Sequence, residues 1–227
     1  MGYELILKSS RGTKLYQNTD TKMRINLDSK GYLSNSEFLI IQGNSISLHK
    51  LTTDVNPLII PFNQAYMVVN LSDHPFLLTF SHDYSKHFIL FDPYRYEKHP
   101  PDVINPKEFE MVHNVPKGYI DILPKWYSIK FTYPTRNIIY IRPNLGISIQ
   151  KHTKRTEEWR ILEGYPIIIA NSQVYYSVKP GDIFHTDRGK MHSVFNPTDK
   201  WVIIEESYEG TFAEEDIIRI FNPNHYH

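Results

Sequence analysis

The sequence predicts an all-β protein of two barrel-sized halves, and three observations carry that expectation. Short runs rich in β-branched and aromatic residues, bounded by turn residues, recur along the chain. No stretch keeps a helical period over three turns. A segment rich in proline and charge, from Asp92-Pro93 through His99-Pro100-Pro101 and Pro106 to Pro116-Lys117-Gly118, separates two groups of runs, because prolines at that density are excluded from central strands. The boundary is expected near Gly118, giving a β-rich domain over residues 1–118 and a barrel over 119–227.

In the first half the strand-like runs are Phe38 to Ile41, Ser45 to Leu48, Ala65 to Val69, Phe76 to Phe80 and Phe88 to Phe91. In the second they are Tyr127 to Tyr133, Ile138 to Ile141, Ile147 to His152, Trp159 to Leu162, Pro166 to Ala170, Val174 to Val178, Ile183 to His185 and Trp201 to Glu205. Asn171-Ser172 suits a hairpin turn between the fifth and sixth of these. Eight or so short strands with tight turns predict a jelly-roll barrel, whose interior has room for one small ligand.

Composition narrows the function classes. Lys+Arg 25 balances Asp+Glu 25, so no net field draws the chain to nucleic acid or an anionic membrane, and neither is expected as a partner. With Cys 0 there are no disulfides and no thiolate ligands, which leaves any metal to His, Glu and Gln. The N-terminus lacks a leader pattern, and no apolar run is long enough to span a bilayer. A cytoplasmic protein is expected, or one of the host cytoplasm or virion if its Ile-, Asn-, Lys- and Tyr-rich, AT-type composition reflects a large DNA virus rather than a bacterium.

Two stretches of the second half read together as one metal site. Gln150 and His152 are two apart and point to one face of a strand, Glu157 follows, and His192 comes from a turn rich in glycine and charge. One amide oxygen, two imidazoles and one carboxylate make a mixed N/O donor set suited to zinc, manganese, iron, cobalt or nickel. A lone strand histidine is usually an ordinary hydrogen-bonded residue. The joint spacing with Gly164, Gly181, Gly189 and Asn196 is what singles these out, although glycines 181 and 189 are also plain turn residues. His185 is read as structural, and the six histidines between His49 and His113 show no ligand spacing.

Those intervals resemble the two motifs of cupin barrels, H-x-H-x(3,4)-E-x(6)-G and G-x(5)-P-x-G-x(2)-H-x(3)-N, with Gln150 in place of the first histidine and Asp187 in place of the proline. The run Ile147 to His152 followed by Arg155, Glu157 and Trp159 is similar to the L-S-L-Q-x-H...R-x-E-x-W segment of type II mannose-6-phosphate isomerases. Pro124 to Tyr127, Arg142-Pro143, Ile203 to Glu205 and Glu214 to Arg219 extend the likeness over residues 120–222. Thr153, Lys154 and Glu158 depart from that family's pattern, and its terminal Y-G-R is missing.

The resemblance implies a divalent metal, zinc first, on Gln150, His152, Glu157 and His192. It implies a sugar phosphate as substrate, aldose-ketose isomerisation as the reaction, and a homodimer by analogy. Lys154 and Arg155 are the expected phosphate-binding cations, and Glu158, Glu205 and Lys154 the expected proton-transfer groups. The departures equally suit a cupin without turnover, acting as a carbohydrate-binding or structural module, and a different cupin reaction is a third reading. In the first half, Ile60-Pro61 to Asn70 echoes the second motif with Tyr66 where the histidine would stand. A degenerate second cupin, hence a bicupin, is one reading of that half, and on it the half binds no metal in the same way.

Overall fold

The computed structural model describes residues 3–29, 36–52, 56–211 and 214–224. The chain forms two compact units, Met1–Pro93 and Tyr94–His227. The first holds β1 (Tyr3–Leu7), β2 (Leu15–Gln17), β3 (Met23–Asp28), β4 (Glu37–Gln42), β5 (Ser45–Lys50), β6 (Leu58–Ile60), β7 (Ala65–Asn70), β8 (Phe76–Phe80) and β9 (Phe88–Phe91). The second holds the helix α1 (Pro106–Val112), then β10 (Asp121–Pro124), β11 (Ser128–Thr132), β12 (Asn137–Ile141), β13 (Ile149–Lys151), β14 (Arg155–Glu163), β15 (Ile167–Ala170), β16 (Gln173–Tyr175), β17 (Ile183–Thr186), β18 (Ser193–Phe195), β19 (Val202–Gly210) and β20 (Ile218–Phe221).

The units share one topology. In the first, β1-β8-β3-β6 form one antiparallel sheet, and β4 pairs with β5 and β7 while β2 pairs with β7 and β9. In the second, β12-β19-β14-β17 repeat the first order, with β10 and β11 added at the β12 edge. β15 pairs with β16 and β18, β13 pairs with β20, and the bridges Gly146↔Phe195 and Gln150↔His192 join β13 to the β18 side. Nine strands therefore recur in the same order with the same partners, so the chain uses one barrel arrangement twice.

Matching residues do matching work in the two copies. Asn70 donates from Nδ2 to the carbonyls of Leu7, Lys8 and His74, and its Oδ1 accepts from the Ser72 amide. Asn196 donates to the carbonyls of Ile141, Arg142 and Lys200, and its Oδ1 accepts from the Thr198 amide. Each is a fully buried amide that satisfies carbonyls where two strand ends meet a turn.

Strand patterning follows burial. β3 alternates Met23, Ile25 and Leu27 inward with Arg24, Asn26 and Asp28 outward, the period of a half-buried strand. β14 does the same but turns polar groups inward at one end: Arg155 and Glu157 are buried along with Trp159 and Ile161. The expected hairpin turn at Asn171-Ser172 joins β15 to β16, with φ of 51° and 61° at the two residues. Gly164 combines a φ of +87° with a close approach, since a Cβ there would lie 2.7 Å from Val202 Cγ2.

The division falls at Pro93/Tyr94, ahead of the expected Gly118. Residues after it carry apolar anchors that a linker would leave exposed: Ile104, Phe109 and Val115 are buried with Ile129, Phe131, Tyr133, Ile138 and Tyr140. Within the proline-rich stretch the sequence also hides α1. Asn105 caps it by accepting from the Lys107 amide, Pro106 takes a first-turn position where no amide donor is needed, and Phe109 packs inward.

Candidate metal centre

Three elements of the second unit bring the predicted ligands together. β14 supplies Glu157, the end of the β13 strand supplies Gln150 and His152, and the turn before β18 supplies His192, held to Gln150 by reciprocal backbone hydrogen bonds of 3.1 and 2.9 Å. The donor atoms of His152, Glu157 and His192 all lie within 4.8 Å of one another. Glu157 presents Oε1 to His152 Nε2 at 3.1 Å and Oε2 to His192 Nε2 at 3.3 Å. Gln150 stands beside the group but does not present the expected ligand oxygen: its Nε2 lies 3.4 Å from His192 Nε2, while Oε1 accepts from the Ser148 hydroxyl.

All three ligand side chains are buried, with exposures of 1 to 3%. Glu157 Oε2 has no hydrogen-bond donor, and burying a carboxylate oxygen unpaired is costly. A divalent cation between the two imidazoles would relieve that. The residues present therefore fit a metal: two Nε2 atoms and one orphaned carboxylate oxygen converge, and Gln150 stands beside them.

Burial alone would raise the Glu157 pKa, but the hydrogen bond with His152 and the charges of His192, His152 and Arg155 outweigh it and hold the carboxyl well below its usual range. Burial pushes His192 down to about 4, so its ring is neutral and competent as a ligand near neutral pH.

Arg155 is the strongest competitor for these atoms. Its Nε donates to Glu157 Oε1 at 2.8 Å and its Nη2 to His152 Nε2 at 2.9 Å, with only 3% of the side chain exposed. The predicted phosphate-binding residue thus faces the ligands themselves. Lys154, by contrast, is exposed and outside the cavity lining, and its backbone amide donates to Asp216. Asp216 also accepts from the Thr153 amide and hydroxyl, so it pins the turn between His152 and Arg155. Those hydrogen bonds hold its carboxyl down to about 2.

The predicted proton-transfer residues are not brought to the site. Glu158 is on the exposed face of β14, opposite Glu157. Glu205 faces outward to Arg136, at 3.2 Å, and Arg160, at 4.0 Å. The neighbouring residue points in instead: Glu206, directly across from Trp159 on β14, is buried and lines the cavity. It accepts from Asn137 Nδ2 at 2.7 Å and Trp159 Nε1 at 3.1 Å. Burial, then the Glu157 charge, push its carboxyl up to about 7. The signal for it was strand parity: from Val202 and Ile204, both core residues, inward positions continue to 206, not 205.

The cavity above these residues is lined on its cationic side by Lys125, Lys130, Arg155 and Arg219, with Tyr127 and Ile217. Its volume is about 90 Å³, which places it well below the roughly 300–1,000 Å³ typical of small-molecule sites. Only an ion, a few waters or one end of a larger ligand fits inside it.

Residues 125–222 match the family model described as mannose-6-phosphate isomerase C-terminal. No curated protein matches the chain. Among solved structures, an oxalate decarboxylase of Lactobacillus farciminis in complex with formate is 14% identical with a TM-score of 0.38, covering 96% of this chain and 78% of that one. A variant oxalate decarboxylase of Bacillus subtilis is 10% identical with a TM-score of 0.37, covering 96% and 70%. A sugar phosphate isomerase of the cupin superfamily from Silicibacter pomeroyi is 16% identical with a TM-score of 0.34, covering 37% and 60%. Residues 125–222 of the second unit thus resemble the C-terminal domain of the mannose-6-phosphate isomerase family. Among the described residues no helix is long and apolar enough to cross a membrane.

Proposed function

We propose that the second unit is a divalent-metal-dependent sugar-phosphate isomerase of the aldose-ketose kind, with mannose 6-phosphate as the first substrate to test. The convergence of His152, Glu157 and His192, with Glu157 reaching the lining of a cation-rich cavity, carries this reading, and the family match over residues 125–222 supports it. Zinc is the first candidate for a His/His/Glu/Gln set. When bound, such an ion would polarise a sugar oxygen and acidify the adjacent C–H.

The chain's own groups supply the rest. Glu206, protonated or ionised near neutral pH and fixed by Asn137 and Trp159, is suited to take a proton from one sugar carbon and return it to its neighbour. Lys125, Lys130 and Arg219 form the cationic lining that would hold the phosphate at the cavity mouth. The small interior then receives only the carbonyl end of the sugar.

The test is metal analysis of the purified protein with an assay of mannose 6-phosphate conversion to fructose 6-phosphate, with zinc, manganese or cobalt added. Stoichiometric metal, with turnover lost in His192→Ala and in Glu206→Gln, supports the reading. Bound metal without turnover points to a different cupin reaction.

A second reading is favoured by one observation. Arg155 already occupies His152 Nε2 and Glu157 Oε1, as a cation competing with a metal would. In that reading the barrel is a non-catalytic carbohydrate-binding or structural module. Arg155→Ala then raises metal affinity without any turnover, whereas in a working isomerase it weakens sugar-phosphate binding and lowers turnover.

A further inference from the structure

The second unit has another cleft, built without any of the metal-site residues. Its lining is His113 after α1, Glu163, Gly164 and Tyr165 at the β14–β15 turn, Thr198, Asp199 and Lys200 at the β18–β19 turn, and Trp201 and Ile203 leading into β19. Its volume is about 560 Å³, within the small-molecule range and several times that of the metal cavity. We propose that this cleft is a saccharide site for an uncharged hexopyranose.

The shape of the cleft is fixed by the fold. Gly164 must be glycine for the turn to close against Trp201 and Val202. Asn196 ties the opposite turn by accepting from the Thr198 amide and donating to the Lys200 carbonyl. Trp201 is fixed by an edge contact with Phe109, with ring centroids at 5.1 Å, and by the Arg142 guanidinium 5.9 Å from its ring centre. His113 is stacked on Phe109 at 4.1 Å and meets Trp201 edge-on at 5.2 Å. A rigid aromatic wall results, the surface on which the C–H face of a pyranose packs.

Around the wall stand polar side chains open to solvent, with the Glu163 charge acting on His113. Among the described residues, the side chains of Glu163, Tyr165, Asp199 and Lys200 make no hydrogen bond or ion pair, and Tyr165 is 63% exposed. Two carboxylates, a phenol and an ammonium offer acceptors and donors for several hydroxyls at once. An anionic ligand is disfavoured because Glu163 and Asp199 outnumber Lys200, the reverse of the cation-rich metal cavity. A metal is disfavoured because His113, Glu163 and Asp199 do not converge; the described residues hold one metal-competent cluster, the other site. A neutral polyol with one apolar face satisfies both halves of the lining.

The proposal is independent of the isomerase reading. It is tested by saturation-transfer NMR on the full chain, with methyl α-mannopyranoside, methyl β-glucopyranoside and glucose 6-phosphate as probes. Transfer from a methyl glycoside is expected, falling at least fivefold in Tyr165→Ala and in the double variant Glu163→Gln/Asp199→Asn, and unchanged in Glu206→Gln. Melting temperatures show that each variant is folded, and the carboxylate-to-amide pair serves if Tyr165→Ala is not. The proposal is overturned if neither methyl glycoside gives transfer, if transfer survives both cleft variants, or if glucose 6-phosphate binds the cleft as well as the neutral glycosides do.

Discussion

The two barrels of this chain are the same fold with opposite interiors. Backbone pairing places Tyr16 opposite Tyr66 where the second barrel places Gln150 opposite His192. Met23 pairs with Ile60 where Glu157 pairs with Thr186, and Ile25 pairs with Phe80 where Trp159 pairs with Glu206. Asn18 accepts the amide of the turn residue Asn63 as His152 accepts that of Gly189, and both turn residues have positive φ. Gln, His, Glu, His and Glu in one barrel are thus Tyr, Asn, Met, Tyr and Phe in the other.

The consequence is physical. In the first barrel Tyr16 and Tyr66 stack at 5.5 Å, Phe80 stacks on Tyr84 at 4.2 Å, and Met23 is fully buried. The Tyr66 hydroxyl meets His87 Nδ1 at 2.9 Å, and burial pushes its pKa far up, so it stays a neutral hydrogen-bonding group. Aromatic area fills the space that the second barrel leaves to charge. A barrel of this size can be filled by packed aromatic side chains or keep a polar interior, and the chain has one of each.

The largest expected effect separates the interiors by metal. Glu157→Gln and His192→Ala each lower zinc or manganese affinity at least a hundredfold by calorimetry, and Tyr66→Ala leaves it unchanged. Reversed for stability, Tyr66→Ala costs about 3–5 kcal/mol in denaturant melts through lost packing and a cavity. Removing the shared device affects both barrels alike. Asn70→Ala and Asn196→Ala each cost about 2–4 kcal/mol, because each strands buried carbonyls.

A smaller effect is pH-dependent and belongs to the second barrel alone. The folded pKa of Glu206, about 7, lies above the 4.5 of an exposed glutamate. Its protonated form stabilises the metal-free protein below pH 4.5, and that contribution is lost as pH rises through 7. Glu206→Gln, which mimics the protonated acid, therefore matches the parent at pH 4 and exceeds it by up to about 3 kcal/mol at pH 8. The smallest effects fall on the outward residues: Glu158→Gln and Lys154→Ala change stability by less than about 0.5 kcal/mol and leave metal binding intact.

What the sequence made legible, and what it hid, follows the same division. The spacing of His152, Glu157 and His192 is regular enough for motif intervals to single out residues that the fold brings together, and the all-β class showed in strand-length runs. The Tyr66 echo pointed to the repeat, but the proof lies in pairings such as Tyr16↔Tyr66, which join residues 50 positions apart. Glu206 was not singled out because two adjacent glutamates differ only in strand parity, and Arg155, expected as a phosphate-binding cation, turns instead onto His152 and Glu157, a contact that spacing alone does not show. The domain edge was placed late because α1 is short and proline-initiated, so only its packing through Phe109 shows that the segment belongs to the second unit.

The central claim is that one barrel holds a metal and its twin does not. Anomalous diffraction from crystals soaked in zinc or manganese tests it most directly. The account predicts one peak per chain, ligated by His152, Glu157 and His192, with the Arg155 guanidinium displaced from His152 Nε2. An empty second barrel, with Arg155 still on its ligands, or a peak inside the first barrel, would contradict it.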